Sequence, residues 1–565
     1  MSTEMLNTSK KKIVNDGPML NAYPDSIDGS LKGMVELIKS PQLKDAFQSF
    51  YILPSLFNTD LDRGFSVIDY ELNEMLASLK DLNELEECGI SFKFDFILNH
   101  ASVLSKQFQD ILKNGEASKY KDFFINWNKF WEGHGELTPE GYIEPHAELI
   151  KDMFFRKPGL PILMVRMPDG KEVPYWNTFY QEVKYEKIDA QDLMEALDIQ
   201  YAAAEAIADL VNDSLHAKKR PKEIDFGRFE KYSEGVIELL ESRRKYLGQM
   251  DLNIKSPLVW DFYEDTLRKL AEYGAEIVRL DAFAYAPKEP GEKNFLNDPG
   301  TWELLERVKG LADKYGVILL PEIHSKYEEK VHEKIAEKGY LTYDFFLPGL
   351  IIDAFERNTK ENLLVWIHDI QKKGIKTVNM LGCHDGIPLL DLKGLLSDEQ
   401  IDSLIKTVVD RGGYVKDLHG QKNMYYQVNS TYFSALGEDE QRLLLARAIQ
   451  MFMPGKPQIW YLDLFAGKNN YEAVEKAGSG GHKEINRTNL TMEQVQAGLE
   501  EKVVLDQLEL IRFRNTCPAF GVEAKLTILE SEPHVLKLQW ENNGCQATLE
   551  ANLKEYSYKI QTNNC

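Results

Sequence analysis

The chain has 565 residues, 43% hydrophobic and 28% charged, a globular profile that argues against a disordered, collagenous or membrane-embedded protein. Lys and Arg number 67 against 90 Asp and Glu, a formal charge of −23, so the summed field repels polyanions, argues against nucleic acid as a partner, and leaves any bound anion to a local basic pocket. Five scattered cysteines without a C-x-x-C pair argue against a disulfide framework or a structural zinc site, and no run reaches the roughly 18 apolar residues of a membrane span, which points to the cytosol.

In chain order, residues 1–20 read as a polar, lysine-bearing tail. The first compact apolar run is Phe92-Lys93-Phe94-Asp95-Phe96-Ile97-Leu98-Asn99-His100. Residues 101–181 are read as an inserted subdomain. Residues 182–249 are read as a helical hairpin, because Leu193, Leu197, Tyr201, Ala204, Ala208, Val211 and Leu215 recur at helical spacing, Lys218-Lys219-Arg220-Pro221 stops the helix, and a second helix is predicted over about 228–247. That stripe needs a partner: the barrel rim, the active site as a lid, or another subunit. A helix bearing Leu267, Leu270 and Tyr273 then turns at Gly274 into Ile277-Val278-Arg279-Leu280-Asp281. Another, with Trp302, Leu305, Val308 and Leu311, turns at Gly316 into Val317-Ile318-Leu319-Leu320-Pro321-Glu322. Val378-Asn379-Met380-Leu381 runs into Gly382-Cys383-His384-Asp385. After residue 518 the apolar period becomes two, with Leu536, Leu538 and Trp540, a turn at Asn543-Gly544, then Ala547, Leu549, Ala551 and Leu553; this predicts a small antiparallel C-terminal domain over 518–565.

Helices alternating with short, fully apolar strands imply βαβ units and a parallel sheet. Their number favours a (β/α)₈ barrel over residues 21–517, and the absence of G-x-G-x-x-G and of a P-loop weighs against nucleotide binding. Active sites of such barrels lie where the strands end, and three runs here end in Asp281, Glu322 and Asp385, with His100, Arg279 and His384 at comparable places. A single acid there commonly caps the next helix; three together argue for chemistry. Arg279 and Asp281 share a strand face, so the guanidinium is expected to keep Asp281 ionised, whereas Glu322 closes an apolar strand and is expected to hold its proton longer. One charged and one protonated carboxyl are the equipment of a retaining glycosidase-type reaction, which needs neither metal nor organic cofactor.

The blocks Asp62-Arg63-Gly64-Phe65, Ile97-Leu98-Asn99-His100, Arg279-Leu280-Asp281-Ala282, Pro321-Glu322-Ile323-His324 and His384-Asp385-Gly386-Ile387 resemble the ordered signatures of the α-amylase superfamily, glycoside hydrolase family 13. Arg279-Leu280-Asp281-Ala282-Phe283-Ala284-Tyr285, Gln427-Val428-Asn429-Ser430-Thr431-Tyr432, Ala466-Gly467-Lys468-Asn469 and Ile485-Asn486-Arg487 resemble more closely the sucrose phosphorylase family. The resemblance implies Asp281 as nucleophile, Glu322 as general acid/base and Asp385 as transition-state stabiliser. It implies a substrate site built from Asp62, Phe65, His100, Phe179, Arg279, Tyr285, His384, Tyr426, Gln427 and Arg487, with Asp62, Phe65, His100, Arg279, His384 and Arg487 on the donor glucose. The loop Phe155-Arg156-Lys157-Pro158-Gly159 resembles the family's phosphate loop, which makes Arg156 and Lys157 the candidates for phosphate or acceptor contact. Before Tyr426 the sequence reads Asn423-Met424-Tyr425, so the carboxylate that relatives acting on sucrose place against fructose is replaced by Met424. Cys383 beside His384 reads as buried packing rather than a nucleophile. The expected activity is phosphorolysis of sucrose or a related α-glucoside to α-glucose 1-phosphate. The alternatives are another leaving group (sucrose 6'-phosphate, glucosylglycerol, glucosylglycerate), a hydrolase or transglucosidase, or a non-enzymatic binding protein. The expected partners are a glucoside and inorganic phosphate, on a monomer or homodimer.

Overall fold

The computed structural model describes residues 15–156, 159–415, 427–478 and 481–565. The chain forms two compact units, residues 1–99, 257–288 and 294–565, and residues 100–256 with 289–293.

Eight strands of the first unit make one parallel sheet: β1 (Met19–Ala22), β2 (Ser49–Ile52), β3 (Ser91–Ile97), β4 (Ala275–Asp281), β5 (Ile318–Pro321), β6 (Thr342–Asp344), β7 (Thr377–Met380) and β8 (Lys456–Trp460). Neighbours in space follow neighbours in sequence from β1 through β5, and β1 also pairs with β8, which leads on to β7 and β6. A strand order that runs once around and returns is that of a (β/α)₈ barrel. Helices bury their apolar stripes on it: Pro257–Glu272 through Val259, Tyr263, Leu267 and Leu270 before β4, and Gly300–Lys314 through Leu304, Leu305, Val308 and Ala312 before β5. Among the described residues, no helix is long and apolar enough to cross a membrane.

The same unit ends in an antiparallel sheet of β9 (Lys525–Ile528), β10 (Val535–Asn542), β11 (Cys545–Asn552) and β12 (Ser557–Asn563). Leu536, Leu538, Ala547, Leu549 and Ala551 face inward, fully buried, as the period-two pattern predicts. The antiparallel pairing of β11 with β12 sets Gln546 opposite Asn563 and so brings the residues just outside them together: Cys545 and Cys565 form a disulfide. The cysteine spacing gave no sign of this bond, because the pairing is made by the sheet and not by a motif.

In the second unit, helices Ala190–Ala196 and Tyr201–His216 are separate, with Leu197 extended between them. Their apolar stripe finds its partner within the unit: Leu193, Ala204, Ile207 and Val211 pack with Ile224, Phe226, Val236 and Leu240. The second hairpin helix is shorter than predicted, Ser233–Ser242, and residues Lys245–Asp251 form a strand instead. That strand pairs with Gln181–Lys184 on one side and with His100–Ser102 on the other; tertiary pairing overrides the helical composition there.

Candidate active site

The barrel register assembles a charged cluster at the ends of β3, β4 and β5. Arg279 on β4 stands opposite Asp95 on β3, and one turn of the alternation later Asp281 leaves β4 just as Glu322 leaves β5. The Arg279 guanidinium, almost wholly buried, bonds Asp95 and Asp281 through Nη1, the latter at 2.9 Å, and Glu322 Oε1 through Nη2 at 2.6 Å. Sharing one guanidinium holds Asp281 and Glu322 near one another. Below them lies a polar layer: the Tyr51 hydroxyl donates to Asp95 Oδ2 at 2.8 Å, and Lys93 lies between the Tyr51 and Tyr343 rings and donates to Gln458 Oε1 at 2.7 Å. Burial holds the Lys93 ammonium well below its ordinary pKa.

The protonation expected from sequence is reversed in this arrangement. Burial, reinforced by the charge of Glu322, raises Asp281 well above the carboxylate range despite Arg279. Burial also opposes ionisation of Glu322, but Arg279 and His324 outweigh it and hold that carboxyl low. Glu322 does not lie in the apolar setting its strand suggested, because the guanidinium on the neighbouring strand reaches across to it. The two carboxyls titrate as a pair, and the singly protonated pair is the species a retaining reaction uses, whichever oxygen carries the proton before substrate enters.

On the opposite side, the loop after β7 carries His384 and Asp385. Gly386 has φ +108°, and a Cβ there would lie 2.5 Å from the Val428 carbonyl, so glycine is what lets this loop lie against the strand Gln427–Asn429. Asn429 donates to the Asp385 carbonyl at 2.7 Å. Asp385 meets His384 Nε2 at 3.2 Å, Lys483 Nζ at 2.6 Å and Arg487 Nη2 at 3.6 Å. Against burial, His384, Lys483 and Arg487 keep it ionised far below the usual range. Phe65 stacks on His384 at 5.0 Å and 10°. Cys383, buried, touches the Gly386 carbonyl at 3.6 Å and burial pushes its thiol up to about 12, as befits packing and not a thiolate nucleophile.

The structure therefore brings Asp281, Glu322, Asp385, Arg279, His384, Phe65 and Arg487 into one cluster. Arg279 is engaged by three carboxylates. Asp62 is exposed, in a turn whose φ is +48° at both Asp62 and Arg63, and its charge acts on Lys483 and Arg487. Arg63 braces that turn, donating to the Arg487 carbonyl at 2.8 Å and lying 4.3 Å from the Tyr23 ring centre. Tyr285 packs on Phe295 at 4.6 Å. Gln427, with Arg279, Glu322, His324, His384 and Asp385, lines a cavity. In the second unit His100 and Phe179 are 4.8 Å apart, with the Arg156 guanidinium 4.9 Å from the Phe179 ring centre. Lys157, Met424 and Tyr426 lie outside the described residues. Sequence reasoning missed Lys483, Tyr23 and Asp95. Asp95 was signalled as a charge inside an apolar run; Lys483 sits in an irregular turn and had no signal beyond its closeness to Arg487.

Among the described residues, two groups of metal-donor side chains lie close enough together to hold an ion, Cys517 with Cys545 and Cys565, and His332 with Glu333 and Asp369. In the first, Cys545 and Cys565 are bonded to each other; in the second, both carboxylates are paired with Lys373. Neither group includes the carboxylate cluster.

No protein-family model matches the chain. It is 49% identical over 565 residues to a sucrose 6(F)-phosphate phosphorylase of Ilumatobacter coccineus, covering 98% of this chain and 97% of the relative. It is 29% identical to a sucrose phosphorylase of Streptococcus mutans, with 97% of each covered. The crystal structure of sucrose 6F-phosphate phosphorylase from Thermoanaerobacter thermosaccharolyticum matches with a TM-score of 0.79 and 31% identity, covering 98% of this chain and 96% of that one.

Proposed function

The chain belongs to the family of sucrose and sucrose 6F-phosphate phosphorylases and is a glucoside phosphorylase, and we propose that its substrate is sucrose 6F-phosphate, cleaved by inorganic phosphate to α-glucose 1-phosphate and fructose 6-phosphate. The observation that carries the reaction is the pair Asp281 and Glu322 held by Arg279 across from Asp385. Asp281 attacks the anomeric carbon while Glu322 gives its proton to the glycosidic oxygen, and the leaving group departs. The bond cleaved is C1–O and the bond formed is a β-glucosyl ester on Asp281. Phosphate then attacks C1, Glu322 takes the proton, and the ester opens; two inversions leave the α configuration. Asp385, kept ionised by its cationic neighbours, faces the positive charge that develops on the sugar in both transition states.

The remaining sugar contacts are part of the proposal. The Tyr23 hydroxyl is buried without a hydrogen-bond partner among the described residues, which suits it to a sugar hydroxyl, and His384 and Arg487 stand beside Asp385 on the same side. Phe65 offers a ring face. By family likeness Asp62, His100, Phe179 and Tyr285 serve the same glucose, Gln427 and Tyr426 contact the substrate, and Arg156 and Lys157 serve phosphate.

Two sequence features favour the phosphorylated leaving group over sucrose itself. Met424 removes a carboxylate that would repel a phosphate, and Arg156 and Lys157 supply cations in a chain of charge −23. A phosphate dianion gains charge-assisted bonds from such groups. The test is α-glucose 1-phosphate release from sucrose 6F-phosphate and from sucrose, each with and without phosphate. The expected result is phosphate-dependent turnover with kcat/KM at least ~100-fold higher for the phosphorylated sugar, about two charge-assisted contacts' worth. Equal or better use of sucrose would sink the leaving-group assignment.

A further inference from the structure

Next to Glu322 stands a second ionisable pair that the reaction above leaves without a role. His324 follows Glu322 by two residues, and Asp391 lies in the turn Leu390–Leu392, which carries its carboxylate back to the imidazole across 67 residues of sequence. His324 Nδ1 is 2.9 Å from Asp391 Oδ2, and its Nε2 is 3.7 Å from Glu322 Oε1. The ring is clamped on Phe345, centroids 4.0 Å apart and 25° from parallel. We infer that Asp391 is a positioning residue that, through His324, keeps an imidazolium facing the general acid/base Glu322 and thereby sets the alkaline limit of the reaction. This inference rests on the assignment of Glu322 made above.

Asp391 can only accept, so Nδ1 carries a hydrogen. On the other side Nε2 lies 3.7 Å from Glu322 Oε1, within ion-pair reach, and 3.3 Å from the Gln427 amide nitrogen, whose place the amide oxygen takes on rotation. A buried carboxylate on each edge of the ring favours the imidazolium. The other charged groups facing the pair are Asp385, also on the Glu322 side, Arg279 across Glu322, and Glu329 beside Asp391. His332 shares a small cavity with Asp391, and burial keeps that imidazole neutral, down at about 4. Burial works against the His324 cation, but Asp391 and then Glu322 more than offset it and raise the imidazole above its ordinary value. An imidazolium there steadies the negative charge Glu322 acquires as it gives its proton to the leaving group, and the benefit ends when His324 deprotonates as pH rises.

The experiment compares pH profiles of phosphorolytic kcat/KM for the parent, Asp391→Asn, Asp391→Glu, His324→Asn and the double variant Asp391→Asn/His324→Asn. Removing the Asp391 charge should move the alkaline limb to lower pH by ~1 unit, leaving activity near about pH 5.5 within a few-fold of the parent. Asp391→Glu should restore the limb, and Asp391→Asn should add nothing once His324 is Asn. A uniform loss at every pH, or an unmoved limb, would overturn the inference by making Asp391 merely structural or idle. An activity-independent reading covers a variant that does not fold. In the ¹³C-histidine-labelled parent, the Cε1 resonance absent from His324→Asn should titrate above the free-imidazole value of about 6.5, and titration at or below that value would overturn the inference. Failure of the function itself would show differently, as a folded parent that makes no glucose 1-phosphate at any pH.

Discussion

Replacing Arg279 by Gln removes the one cation that three carboxylates share. Asp95 is fully buried, and Asp281 and Glu322 have only 13% and 14% of their side-chain surface exposed, so little water is available to take over. Breaking a buried ion pair costs about 3–5 kcal/mol, and with three acids sharing the cation the upper part of that range is expected. The loss has a pH signature. Without Arg279 the Glu322 carboxyl loses the cation that holds it low and Asp281, already raised, is raised further, so the folded variant binds protons that the unfolded chain releases. The penalty is then full at pH 8 and shrinks as pH falls toward those raised values. Arg279→Lys should be intermediate, because an ammonium is a point charge that cannot fork between Asp281 and Glu322. The assay is thermal unfolding of parent and variants across pH 5–8, alongside phosphorolysis, which should drop at least ~1,000-fold in Arg279→Gln as the Asp281 and Glu322 carboxyls lose their ordering. A melting temperature lowered equally at every pH, or activity within tenfold of the parent, would refute this account of the cluster.

Asp281→Asn and Glu322→Gln should fail at different steps: glucosyl fluoride, which needs no protonation to leave, should partly rescue glycosylation in Glu322→Gln and not in Asp281→Asn, and equal rescue would remove the distinction. Lys483→Met should raise the Asp385 pKa and cut kcat/KM by ~10–100-fold while its acid limb moves up in pH, with Lys483→Arg close to the parent; an unshifted limb would mean that Lys483 does not govern Asp385. Arg156→Ala should weaken phosphorolysis while hydrolysis of the glucosyl enzyme persists, since water needs no cation to place it, and a parallel fall in both rates would make the loop structural. Replacing residues 188–242 by a short Gly-Ser linker should leave the barrel unit's melting unchanged, because the helices there carry their own core, and a loss of that transition would show a dependence not anticipated.

Much of this was legible in the sequence because barrel strands are short apolar runs, and an acid ending such a run stands out. Asp281, Glu322 and Asp385 were singled out that way, and the period-two pattern after residue 518 located the terminal sheet. What was hidden depends on pairing across distance. Whether Glu322 is apolar-set or ion-paired is decided by a guanidinium on the adjacent strand, which no local pattern around Glu322 encodes. Asp391 reaches His324 only through the fold, and Cys545 meets Cys565 only because β11 and β12 are antiparallel neighbours. The strand at Lys245–Asp251 looked helical from composition, and became a strand because two partners already presented free edges.

The central claim is double displacement through Asp281, and the most direct measurement is mass spectrometry of acid-quenched Glu322→Gln protein after reaction with glucosyl fluoride. The account predicts a mass gain of one anhydroglucose, lost on adding phosphate, and mapped by proteolysis to the peptide that carries Asp281. Turnover without any adduct, or an adduct on a different residue, would contradict it.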